Sequence, residues 1–133
     1  MAFKYDEMIK CMKEYMDSLP KLSAKKPETI EYTMSFLAEG YQVRYGDVPM
    51  TVSGEEMING MAHENDDLWV TYVIHSEKPY YWIVDEKQGS MAGLFREELR
   101  DPKTNKVLRA VLNFTHIWLK EEEGKLKLWR EHL

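Results

Sequence analysis

The chain has 133 residues, 44% hydrophobic and 31% charged, with a formal net charge of −5. This length fits one domain, residues 1–133, with a core of its own. The acidic balance and lack of a sustained basic stripe argue against nucleic acid and anionic membranes as partners, and Cys11, the single cysteine, excludes an intrachain disulfide or a multi-cysteine zinc site.

The N-terminal stretch MAFKYDEMIK is too charged for a signal peptide, and no apolar run approaches membrane-spanning length. The expected location is therefore cytoplasmic. Aromatic residues make up 12% of the chain. Large rings suit a dense core or a cavity wall equally well.

Met8, Ile9, Met12, Tyr15, Met16 and Leu19 recur at three- and four-residue spacing, which predicts an amphipathic first helix. Pro20 stops it. A second helix is expected from Pro27, a favourable first position, to Gly40, which suits a left-handed helix end. Tyr41, Val43 and Tyr45 alternate with polar neighbours and predict a short strand, followed by a loop over residues 47–52. Ser53-Gly54-Glu55-Glu56 reads as a capping box that opens a third helix reaching to about Asn65.

Residues 66–77 are ambiguous, because Leu68, Tyr72 and His75 share a helical face while the run 69–74 has strand composition. From Tyr80 onward the pattern is β. Strands are expected over 80–85, 90–99, 107–120 and 126–132, with turns at Gln88-Gly89, over residues 101–105 and at Glu123-Gly124. Three N-terminal helices packed on a curved antiparallel or mixed sheet make an α+β fold.

Two motifs carry a resemblance. The first is Tyr41-Gln-Val-Arg-Tyr-Gly-Asp47 with Pro49 and Ser53-Gly54-Glu55-Glu56. The second is Phe114-Thr-His-Ile-Trp-Leu followed by Glu123-Gly124-Lys125-Leu126 and Trp129-Arg130-Glu131. In this order they resemble the SnoaL-like polyketide cyclase family, within the nuclear transport factor 2-like, cystatin-like α+β cones. The family usually has Gly-Arg-Glu where this chain has Gly54-Glu55-Glu56. The resemblance implies a conical cavity for a small apolar or aromatic molecule, no cofactor, and a homodimer formed through the sheet.

Relatives of this fold include cyclases, isomerases, dehydratases and transport adaptors, so the fold leaves the activity open. In ketosteroid isomerase a tyrosine on the first helix, a base near the first strand and an acid on a late strand act together. By position these resemble Tyr15, Asp47 and His116.

His116 lies on an apolar strand face with Phe114 and Trp118, where a valine would be ordinary. Two readings stand. A cavity histidine can exchange a proton near neutral pH. A core histidine has a protein hydrogen-bond partner and no access to solvent, and it would mark a non-catalytic binding or interaction module. Asp47 is either a proton-transfer base or a turn carboxylate.

Tyr15, Tyr32, Tyr41 and Tyr45 can face a cavity or pack in the core, and Trp82, Phe114 and Trp118 are candidate walls. Arg96 can anchor an anionic ligand or pair with a neighbouring glutamate. The cluster His63-Glu64-Asn65-Asp66-Asp67 lacks metal-ligand spacing, so no metal is expected.

Overall fold

The computed structural model describes the backbone of residues 4–24, 26–44, 46, 51–60, 70–74, 80–101 and 103–133. Helix α1, Tyr5–Ser18, buries Met8, Met12, Tyr15 and Met16 along the predicted stripe. At Leu19 the backbone N–H bonds to the Met16 carbonyl, and the chain tightens into a 3-10 turn, Leu19–Ala24. Pro20, which has no N–H to continue the α-helical ladder, follows directly.

Helix α2, Pro27–Met34, is shorter than the sequence suggests, because strand β1, Leu37–Arg44, begins before Gly40. Gly40 has φ +75° but closes no helix. It sits in β1 where the pairing slips: Leu37 lies opposite Leu128, and Gln42 opposite Arg130. The excess residues on β1 bulge out, and the left-handed glycine accommodates the bend. The Arg130 guanidinium donates to the Gly40 carbonyl at 2.8 Å, which satisfies a group the sheet leaves free.

Strand β2, Val52–Ser53, pairs antiparallel with β1 and takes up the end of the segment expected to be a loop. Helix α3, Gly54–Asn59, starts with the expected capping box: the Glu56 N–H donates to Ser53 Oγ at 3.1 Å, and the Ser53 N–H reaches Glu56 Oε1 at 3.5 Å. Strand β3, Val70–Ile74, settles the ambiguous segment where it is described. Strands β4, Tyr80–Ile83, and β5, Gln88–Arg100, are joined around Asp85, whose carboxylate accepts from the Lys87 N–H at 2.7 Å. Gln88 and Gly89, expected to form that turn, belong to β5 instead. Strands β6, Val107–Lys120, and β7, Leu126–His132, have the expected bounds and turn at Gly124, φ +83°.

The result is an α+β fold with a seven-stranded mixed sheet. The path runs β2-β1-β7-β6-β5-β3, with β4 also on β5. Among the described strands β1 and β7 run parallel, and the other pairs are antiparallel. The core lies between α1, α3 and the inner face of β1, β5, β6 and β7. Trp118 stands across from Gly89 and Phe114 across from Gly93, so the bulky rings face positions without side chains. Among the described residues no helix is long and apolar enough to cross a membrane.

Gly40→Ala is expected to cost about 1 kcal/mol, since an L-residue resists the left-handed region. A lower urea midpoint at unchanged slope would show it. An unshifted midpoint would mean that the bulge tolerates a side chain.

Candidate functional site

Three elements bring polar groups to one buried point. The inner face of β6 carries Phe114, His116 and Trp118, all within 2% of full burial. Strand β7 presents Leu126 and Leu128 inward and then slips by one residue: Trp118 faces Leu128, but Ile117 faces Arg130. The bulge at Trp129 turns Glu131 inward, directly across from His116. Without it, strict alternation would place Arg130 there.

Glu131 is almost fully buried and accepts from three side chains. Tyr15 Oη donates to Oε1 at 2.8 Å, Tyr41 Oη donates to Oε1 at 2.5 Å, and His116 Nε2 lies 2.8 Å from Oε2. Gly54 assists from α3. A Cβ there would come within 2.8 Å of Leu37 and 3.0 Å of the Tyr41 ring, so glycine permits the close approach. That approach brings Met57 Sδ to 3.4 Å from Tyr41 Oη and 3.9 Å from Tyr15 Oη.

Burial pushes the Glu131 carboxyl upward, but His116 and the bonds from His116, Tyr41 and Tyr15 outweigh it and hold it below its ordinary value. Tyr41 is raised by burial first and then by the Glu131 charge, so it remains a hydroxyl donor. An ionised carboxylate only accepts, so His116 Nε2 carries the proton of that bond. His116 Nδ1 and Trp118 Nε1 are both buried and have no hydrogen-bond partner among the described residues. Their rings meet edge to face at 5.8 Å between centroids. Tyr15 and Phe114 complete the aromatic surround, at 6.0 and 4.7 Å from the imidazole.

The structure thus gathers Tyr15, Tyr41, Phe114, His116 and Trp118. Trp82, at 58% exposure, and Tyr32, at 47%, are surface residues and not members of this cluster. Asp47 and Tyr45 lie outside the described residues. Arg96 on β5 pairs with Ile74 on β3, and its side chain lies outside the described ones.

Glu131 belongs to the second sequence motif, yet no local signal marks it as a site residue, because simple alternation assigns it to the outer face. A groove of about 250 Å³ over the same strands is lined by Gln42, Arg44, Thr115, Ile117, Arg130 and Glu131; His116 is not among its walls. Among the described residues no three His, Cys, Asp or Glu side chains gather to hold a metal ion. Burial and then Glu14 push the Cys11 thiol up, which leaves it a weak nucleophile.

No protein-family profile matches the chain, and no curated protein matches it in sequence. Solved structures do match in fold. A candidate scytalone dehydratase from Novosphingobium aromaticivorans is 14% identical with a TM-score of 0.74, over 96% of this chain and 80% of that one. A nuclear transport factor 2-like superfamily protein from Salmonella enterica is 8% identical with a TM-score of 0.71, over 96% and 87%. The association domain of the C. elegans kinase CaMKII is 12% identical with a TM-score of 0.68, over 96% and 92%. The chain therefore has the nuclear transport factor 2-like α+β cone fold.

Glu131 has a depressed folded value, so its stabilisation is present above the ordinary carboxylate range and disappears as pH falls through that lower value. Glu131→Gln is expected to cost about 3 kcal/mol at neutral pH, with the gap to wild type narrowing in acid. Urea midpoints across pH measure this; a gap constant with pH would mean the folded carboxyl is not ionised.

Proposed function

We propose that the chain binds a small apolar or aromatic molecule beside His116 and acts on it by cofactor-independent proton transfer, as an isomerase, cyclase or dehydratase of SnoaL-like type. One observation carries the reading: two buried nitrogens on neighbouring rings, His116 Nδ1 and Trp118 Nε1, have no hydrogen-bond partner among the described residues. Buried polar atoms are nearly always satisfied, and each exception calls for a reason such as chemistry or binding.

The chemistry comes from the anchoring. Glu131 holds the Nε2–H of His116, so in the neutral ring Nδ1 is the lone pair that takes a proton, and in the imidazolium it is the group that returns one. The imidazolium so formed is stabilised by the carboxylate 2.8 Å away. Tyr15 and Tyr41 occupy the other carboxylate oxygen, so Glu131 holds the ring in place and is a poor terminus for the proton. The Trp118 indole N–H donates to a ligand oxygen that gains charge. Acid–base catalysis of this kind contributes about 10²- to 10⁴-fold.

A thermal-shift panel of small aromatic and polyketide-like compounds tests the reading. A compound that raises the wild-type melting temperature is expected to lose its effect on His116→Asn, checked to melt cooperatively by itself. A shift that survives the substitution counts against His116.

A second reading rests on a different observation. His116 has no solvent exposure and does have a protein partner in Glu131, the combination expected of a non-catalytic interaction module. The likeness in fold to a kinase association domain fits that reading too. The polar cluster then fixes the register of the core, and the sheet pairs with a second copy. This version expects twice the chain's mass by light scattering and no response to any compound in the panel. A monomer would remove it.

A further inference from the structure

Strand β4 and the residue after it carry side chains that do not suit a solvated surface. Tyr81, Trp82, Ile83 and Val84 follow one another at 46, 58, 39 and 60% exposure. Single exposed apolar residues are ordinary, but a contiguous run marks an interaction surface. Among the described strands β4 pairs with β5 alone, so its other edge is open. Proteins usually blunt such an edge with a charge, a proline or a bulge. Residues 80–84 contain no charge, no proline and no glycine, and the register of β4 with β5 has no break.

The ladder fixes which backbone groups are open. The Val84 N–H donates to the Gln88 carbonyl at 2.9 Å, which makes these two a hydrogen-bonded pair. Alternation along the ladder then makes Trp82 and Ser90 a bonded pair and leaves Tyr81–Met91 and Ile83–Gly89 as non-bonded pairs. The N–H and C=O groups of Tyr81 and Ile83 therefore point away from β5. The strand is held in this attitude, since the Lys87 N–H closes the following turn on Asp85 and the Tyr5 ring packs on the Tyr81 ring at 4.1 Å between centroids. The open groups are symmetric about Trp82. A second β4, laid antiparallel with Trp82 against Trp82, lets each Tyr81 exchange both bonds with the Ile83 of the other copy. The two Trp82 residues then form a non-hydrogen-bonded pair, the kind in which side chains come closest. Tyr81 opposite Ile83 sets an aromatic ring against a β-branched chain, a favourable cross-strand pair.

Charge selects the occupant and its direction. The chain carries a net −5, and the turn after β4 presents Asp85 and Glu86, both exposed. Parallel pairing of two copies would set these acidic turns side by side. Antiparallel pairing sends them to opposite ends and leaves only uncharged side chains at the centre of the seam. We propose that β4 is a dimerisation edge, at which two copies of this chain join their sheets antiparallel in the register centred on Trp82. The seam lies at the edge of the sheet, unlike pairing through its outer face, and it needs no ligand. Each copy offers one such edge, so the two-fold arrangement closes at two copies. Four partly exposed side chains present well under the ~800 Å² per partner of a standard interface, so the dimer is weak and forms as concentration rises.

Sedimentation velocity of the full chain, from micromolar to near-millimolar concentration, tests this. The wild-type mass is expected to rise with concentration and level off at twice that of the chain. Trp82→Lys sets two cations against each other at the two-fold axis and should hold the mass at that of one chain throughout. Ile83→Pro removes an N–H that serves only the open edge, so it should do the same while the β4–β5 ladder stays intact. Thr115→Arg, at an exposed position on the outer face of the sheet, should leave the edge dimer in place. Each variant is checked for wild-type cooperative melting. A wild-type chain that stays single at every concentration overturns the proposal, as does a mass that climbs past two copies. A dimer that survives Trp82→Lys and Ile83→Pro but is lost in Thr115→Arg also overturns it, and assigns the contact to the face of the sheet.

Discussion

Everything at the centre of this fold depends on a single extra residue in strand β7. Trp129 slips the register between β6 and β7, and His116 meets Glu131 in consequence. Continued pairing from Trp118 and Leu128 would have set Arg130 against the histidine, placing a cation in the core with no anion beside it. With the slip, Arg130 turns away to the Gly40 carbonyl, and a carboxylate takes the interior position. The bulges in β1 and β7 lie beside each other, and the side chain displaced by one satisfies a carbonyl left open by the other.

A buried carboxylate is tolerable only when its lone pairs are taken. Tyr15 from α1, Tyr41 from β1 and His116 from β6 do this for Glu131. The apolar side chains around them, such as Met12, Met57, Met91 and Leu128, exclude water and strengthen those bonds. Small residues make the geometry feasible. Gly54 lets α3 close on Tyr41, while Gly89 and Gly93 stand across from Trp118 and Phe114. Within this satisfied network the outer edge of the imidazole and the indole nitrogen are left over, which is why the ligand reading centres on them.

Much of this plan is legible in the residues. The stripe from Met8 to Leu19, the capping box at Ser53 and the long runs 107–120 and 126–132 obey local rules, and local rules place them well. Tyr15, Tyr41, Phe114, His116 and Trp118 can be singled out because a polar or amphipathic group on an apolar face is conspicuous. Glu131 cannot, because its inward direction comes from a register slip set by the neighbouring strand. Gly40 misleads for a related reason. A left-handed glycine suits a helix end and a sheet bulge equally, and only the pairing of β1 with β7 distinguishes them. Trp82 and Tyr32 mislead because a large ring signals burial in composition, yet these two lie at the surface.

Tyr15 and Glu131 touch across 116 residues of sequence. As the chain emerges from a ribosome, helix α1 is made long before the carboxylate its tyrosine serves. Until β7 arrives, both phenols and the imidazole are polar groups without their acceptor in a half-built interior. Assembly of the centre is therefore a late, whole-chain event.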